Sequence, residues 1–101
     1  MVEKIIWSKE ASQDRNNIIA YWNRRNKSNL YSKKLLLMFK EATKTLKLFP
    51  AIGKPINRLN TKLKIVRDYF IVYRIQEDTI RILSVWDSRQ DPSELDVIIN
   101  K

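Results

Sequence analysis

Apolar residues recur along this chain with two different periods, and the change between them falls near Lys62. Before that point the spacing is helical. Val2 to Trp7 first supplies β-branched and aromatic residues, which predicts a short opening strand. Ser8 follows as a helix cap, with Glu10 in the first turn where negative charge suits the helix dipole. The helix is expected to run to about Arg25, with Ala11, Ile18, Trp22 and Tyr21 as its apolar side. Asn26 to Asn29 is a polar break in which Ser28 is a second cap candidate. Leu35, Phe39, Ala42, Leu46 and Phe49 then follow a 4-3-4-3 spacing that places them on one face of a second helix. At 100° per residue, Lys33, Lys40, Lys44 and Lys47 gather on the opposite face within roughly 60° of arc. Pro50, Gly53 and Pro55 end that helix and open a loop.

From Lys62 onward the period is two. Lys62–Arg67, Tyr69–Ile75 and Thr79–Trp86 read as three strands, with turns at Asp68 and Gln76–Asp78. Connections this short make them an antiparallel meander. Asp91 and Pro92 suit the cap and first position of a short tail helix, Pro92–Ile99. The order is strand, helical hairpin, three-stranded meander, tail. It predicts an α+β fold with the hairpin covering one sheet face. There is no internal repeat or flexible linker, and residues 1–101 are expected to form a single domain.

Composition narrows the setting. Hydrophobic residues make up 44%, enough for a core of modest stability at 101 residues. No cysteine is present, which excludes disulfides, thiolate metal sites and a cysteine nucleophile, and fits a reducing, cytoplasmic setting. No metal or cofactor is expected. Apolar runs such as Leu35–Phe39 are far too short to span a membrane, and the N-terminus does not read as a secretory signal.

The charge changes the picture more. The net charge is +9, and it is unevenly placed. Residues 1–23 balance, residues 24–67 hold thirteen Lys/Arg against Glu41 alone, and residues 68–101 hold four basic and seven acidic side chains. Such asymmetry points to an anionic partner for the middle segment, nucleic acid or an acidic protein. The same lysines also suit a solvated face kept for solubility.

Three stretches carry a family resemblance: "IIWSKEASQDRNNIIAYW", "FPAIGKPINRL" and "LKIVRDYFIVYRIQEDTIRILSVWDSRQDP". Arg67 leads into a "Y-x-I-x-Y-R" strand, Tyr69–Arg74, and the last strand ends in "WDSRQDP", a polar, Arg-containing turn before a proline. In these features, over essentially the whole chain, the sequence resembles the RelE/ParE toxin superfamily, the toxins of type II toxin–antitoxin systems associated with plasmid stabilisation. The resemblance implies a cytoplasmic growth-arrest toxin silenced by a cognate acidic antitoxin in a hetero-oligomer. It offers two targets. RelE-like members are mRNA interferases, endoribonucleases acting on the ribosome; ParE-like members inhibit DNA gyrase without being nucleases.

The residues lean towards the second. RNA cleavage through a 2′-hydroxyl needs a proton acceptor, a proton donor and cations to stabilise the phosphorane. The chain has no histidine, the side chain best tuned to neutral pH. RelE-like nucleases commonly place an arginine just after the strand tyrosine, and here that position is Phe70. The "YFIVYRI" strand is more similar to the ParE version. Whether the chain is an enzyme stays open on sequence alone.

Candidates for a nuclease site are Lys62, Lys64, Arg67, Arg81, Asp87 and Arg89; candidates for contacting a target or nucleic acid are Lys33, Lys40, Lys44, Lys47, Lys62, Arg67 and Arg89. Each has a purely structural alternative. Arg67 and Arg74 suit pairing with Asp68, Glu77 or Asp78 across the meander. Tyr69 and Tyr73 suit core or rim packing, Trp7, Trp22 and Trp86 suit the core, and Asp87 with Arg89 suits locking the last turn. An isolated carboxylate such as Asp87 is a poor general base at its ordinary pKa.

Overall fold

The computed structural model describes residues 2–56 and 60–89. A strand β1 (Lys4–Trp7) leads into helices α1 (Lys9–Asn26) and α2 (Leu30–Leu48). A two-residue strand β2 (Lys54–Pro55) follows, then β3 (Thr61–Val66), β4 (Tyr69–Gln76) and β5 (Thr79–Asp87). The expected tail helix Pro92–Ile99 and its Asp91 cap lie outside the described residues.

The fold is α+β, as the pattern predicts, with a five-stranded mixed sheet in the order β1-β5-β4-β3-β2. β3, β4 and β5 form the expected antiparallel meander. β1 lies parallel to β5, with Lys4 opposite Thr79 and Trp7 opposite Ile82. The helical hairpin carries the chain from β1 to β2 at the far edge of the sheet, and the meander then returns it to β5 beside β1. β2 adds an edge that a Pro-containing segment does not announce, pairing Lys54 with Leu63 and Pro55 with Lys62.

Ser8 caps α1 as its side-chain chemistry predicts. Its hydroxyl accepts from the Ala11 amide at 3.0 Å and donates to the Leu83 carbonyl at 3.1 Å, so one residue starts the helix and ties it to β5. The second cap departs from expectation. Asn29 is the cap residue of α2, and Ser28 instead accepts from the Leu30 amide at 3.2 Å. The two helices are pinned by Ser32, a buried hydroxyl that donates to Asn23 Oδ1.

On α2 the 4-3 spacing delivers Leu35, Phe39, Ala42 and Leu46 into the core. Phe49 does not join them: it lies just past the helix, at its C-cap, where the chain has left the helical path, and is 62% exposed. Across the sheet, Tyr69, Ile71 and Tyr73 of β4 and Ile80, Ile82 and Val85 of β5 meet the helices. Strand alternation puts Phe70, Val72 and Arg74 on the other face. Phe70 stands opposite Ile65 and Trp86 there.

Tyr73 is fully buried and clasps the loop after α2. Its hydroxyl donates to the Pro50 carbonyl at 2.8 Å and accepts from the Gly53 amide at 3.0 Å. Gly53 must lack a side chain here, since a Cβ would sit 2.5 Å from the Tyr73 hydroxyl and 2.9 Å from the Leu63 carbonyl. The strand turns use no glycine. Arg67 (φ 57°) and Glu77 (φ 54°) take left-handed conformations instead.

Candidate functional site

One face of α1 and the ends of β4 and β5 enclose an open cleft of about 460 Å³. Asp14, Asn17, Ile18 and Tyr21 recur at helical spacing along the α1 wall. Tyr69, Val85, Asp87 and Arg89 form the opposite wall. The strand wall is shaped by a bulge in β5: Tyr73 pairs with Ile82 but Val72 pairs with Ser84, leaving Leu83 over. Asp14 bonds just beyond the bulge. Its Oδ2 accepts from the Ser84 hydroxyl at 2.9 Å and the Val85 amide at 3.1 Å.

At the floor, Trp22 Nε1 donates to the Tyr69 hydroxyl at 2.8 Å. Tyr69 is 2% exposed, and burial pushes its phenol above the ordinary value, with the Trp22 hydrogen bond pulling the other way. The phenol is therefore protonated at neutral pH. At the mouth, Arg89 grips Asp87 through Nε–Oδ1 at 3.0 Å and Nη2–Oδ2 at 2.9 Å, while its backbone amide donates to Oδ1 at 2.9 Å. The hydrogen bonds from Arg89 hold the Asp87 carboxyl below its ordinary value, and Asp87 raises Arg89 in return. The last turn is thus locked by this pair.

A second cleft of about 400 Å³ lies beside β1 and α2. Trp7, Leu36, Leu37 and Phe39 give it an apolar lining, and Arg15, Lys33 and Lys40 give it cations with no acid among the lining residues described. The Arg15 guanidinium sits 4.7 Å over the Trp7 ring.

The sequence matches the family model for the ParE toxin of the type II toxin–antitoxin system parDE over residues 5–92. The chain belongs to the ParE toxin family. Among solved structures, this ParE-family chain is similar to one described as the chromosomal ParDE toxin–antitoxin system from P. aeruginosa. The TM-score is 0.74 at 16% identity, over 86% of this chain and 96% of that one, a likeness of fold. No curated protein sequence matches it. No helix among the described residues is long and apolar enough to cross a membrane.

The ParE-family fold separates most of the sequence candidates. Asp87 and Arg89 come together at the first cleft. Lys62 and Lys64 lie on β3 opposite Tyr73 and Ile71, on the helix-facing side. Arg81 pairs with Arg74 on the other face of the sheet. Arg67 sits at the β3–β4 turn, where Nε approaches Met38 Sδ at 3.5 Å. Lys33 and Lys40 line the second cleft, whereas Lys44 pairs with Glu41 at 3.6 Å and Lys47 is exposed on the same helix.

The pairing across the meander that stood as the structural alternative for Arg67 and Arg74 is not made. Among the described residues neither meets Asp68, Glu77 or Asp78, and Arg74 donates to Thr61 Oγ1 at 3.0 Å. Tyr21, expected on the apolar side of α1, is 42% exposed at the cleft rim. Sequence reasoning missed Asp14. A polar residue three positions after Ala11 and four before Ile18, on the apolar side of α1, was the available signal.

Proposed function

We propose that this ParE-family chain is the toxin of a type II toxin–antitoxin pair that arrests growth by binding DNA gyrase or a related topoisomerase, without cleaving nucleic acid. A cognate acidic antitoxin neutralises it in a hetero-oligomer. The observation that carries the binding reading is the charge of the first cleft. Its described lining holds two carboxylates, Asp14 and Asp87, against one cation, Arg89, and both oxygens of Asp87 are engaged with that cation. A phosphorane needs positive charge left over, and the described lining of this cleft offers none. Lys64, Arg67 and Arg81 are spread over two sheet faces and a turn, so they do not converge on a phosphate.

The second cleft supports the antitoxin half of the reading. An apolar channel rimmed by Arg15, Lys33 and Lys40 complements an acidic amphipathic segment of the antitoxin. Inhibition of gyrase supercoiling by the purified toxin, relieved by the antitoxin, tests the proposal. Codon-spaced mRNA cleavage in a translating extract, abolished by Arg89→Ala, would replace it with the RelE-like reading.

A further inference from the structure

The first cleft is unusual for this protein. The chain carries a net +9, yet the described lining of this cleft sums to −1. Asp14 is the source of the imbalance. Asp87 is matched by Arg89, but no cation pairs with Asp14 among the described residues. Its bonds to Ser84 and Val85 use Oδ2, and no described donor meets Oδ1. A partly buried carboxylate that lacks a cation and keeps one oxygen open attracts one.

A second observation points the same way. Tyr69 is 98% buried by accessible area, being 2% exposed, and its oxygen already accepts from Trp22. Its own O–H meets no acceptor among the described residues, so it offers a hydrogen bond into the cleft. Tyr21 provides an exposed aromatic wall at the rim, and Ile18 and Val85 provide apolar surface between the polar ends.

We propose that this cleft receives an arginine side chain from a partner protein, with Asp14 as its anion, Tyr21 as the ring against which it lies, and the Tyr69 hydroxyl donating to a carbonyl of the same segment. A guanidinium suits a carboxylate beside an aromatic ring because it is planar, weakly hydrated and able to stack. This role does not depend on gyrase being the target: it concerns what the cleft binds, and its test contains no topoisomerase.

The test is a titration of the full chain followed by NMR, reading the Trp22 indole N–H, which reports on the Tyr69 hydroxyl directly. The probe is the peptide acetyl-Gly-Arg-Gly-amide, with the citrulline peptide, equal in shape and uncharged, as control. The expected result is a saturable movement of the Trp22 resonance with the arginine peptide and none with the citrulline peptide at equal concentration. Asn17 is exposed on α1, so Asn17→Lys keeps the fold while placing a cation at the cleft; it should weaken binding by roughly tenfold, and Asn17→Gln should not. No saturable movement, equal movement with citrulline, or a preference for inorganic phosphate overturns the proposal.

Discussion

The Trp22 indole and the Tyr69 phenol, 47 residues apart in sequence, are joined by a 2.8 Å hydrogen bond that fastens α1 to the start of β4. The bond sits at the floor of the acidic cleft, so it links the packing of the hairpin to the shape of the site. Edge-on contacts of Trp22 with Tyr31 at 4.8 Å and Tyr21 at 5.1 Å hold the indole in place. Tyr69→Phe leaves the indole N–H without its acceptor. The variant should fold and lose about 1–2 kcal/mol in denaturant unfolding. An unchanged midpoint would show that the bond contributes nothing to stability.

Burial raises the phenols of both Tyr69 and Tyr73, with their hydrogen bonds from Trp22 and from the Gly53 amide opposing it. Both should stay protonated past the free-tyrosine value of about 10. The linked stability is fully present below that unfolded value and disappears as pH rises through the higher folded values. Ultraviolet titration of tyrosinate, compared with Tyr69→Phe, would reveal this; ordinary titration of all four tyrosines would contradict it.

Asp87 works in the opposite sense. Arg89 holds its carboxyl low, so its contribution is present above the ordinary carboxylate value of about 4 and is lost as pH falls through the depressed folded value. Thermal midpoints measured from neutral to acid pH should fall less steeply in Asp87→Asn than in the parent chain. Parallel curves would show that the pair contributes nothing to acid stability. Because Arg89 lies at the surface, the pair orders the turn more than it stabilises the fold.

Much of this architecture is written in local pattern. The 4-3 spacing of Leu35, Phe39, Ala42 and Leu46, the Ser8 cap and the alternation through β3 to β5 each reflect a periodicity or a side-chain bond within a few residues. What the pattern does not carry is long-range. The parallel register of β1 on β5 has no local signature, and β2 hides in a segment whose proline argues against a strand. Phe49 kept the helical spacing but not the helix, because the chain turns off at its C-cap. At the site, Asp87 and Arg89 were legible from the polar turn they form. Asp14 shows in the sequence only as a polar residue on the apolar side of α1, and its partners appear once the β5 bulge brings Ser84 and Val85 to that helix.

Gly53 is a loop position with no room for a side chain. A methyl group there collides with the Tyr73 hydroxyl and the Leu63 carbonyl, so Gly53→Ala must break the clasp on Pro50 or shift β3. A loss of roughly 1–3 kcal/mol is expected in equilibrium unfolding. A variant as stable as the parent would mean that the loop adjusts without strain.

The cation-rimmed second cleft makes a kinetic prediction for the proposed antitoxin. Lys33→Ala with Lys40→Ala should slow association several-fold at low salt, and the difference should shrink as salt is raised. Stopped-flow or surface-binding kinetics would measure it. Equal association rates at every ionic strength would place the antitoxin elsewhere.

On the function proposed above, this ParE-family chain acts by binding a topoisomerase. The most direct measurement is DNA supercoiling by purified gyrase with increasing toxin. Progressive inhibition is expected, reversed by the cognate antitoxin and unaccompanied by RNA cleavage. Gyrase unaffected at large toxin excess, with mRNA cut in a translating extract, would contradict it.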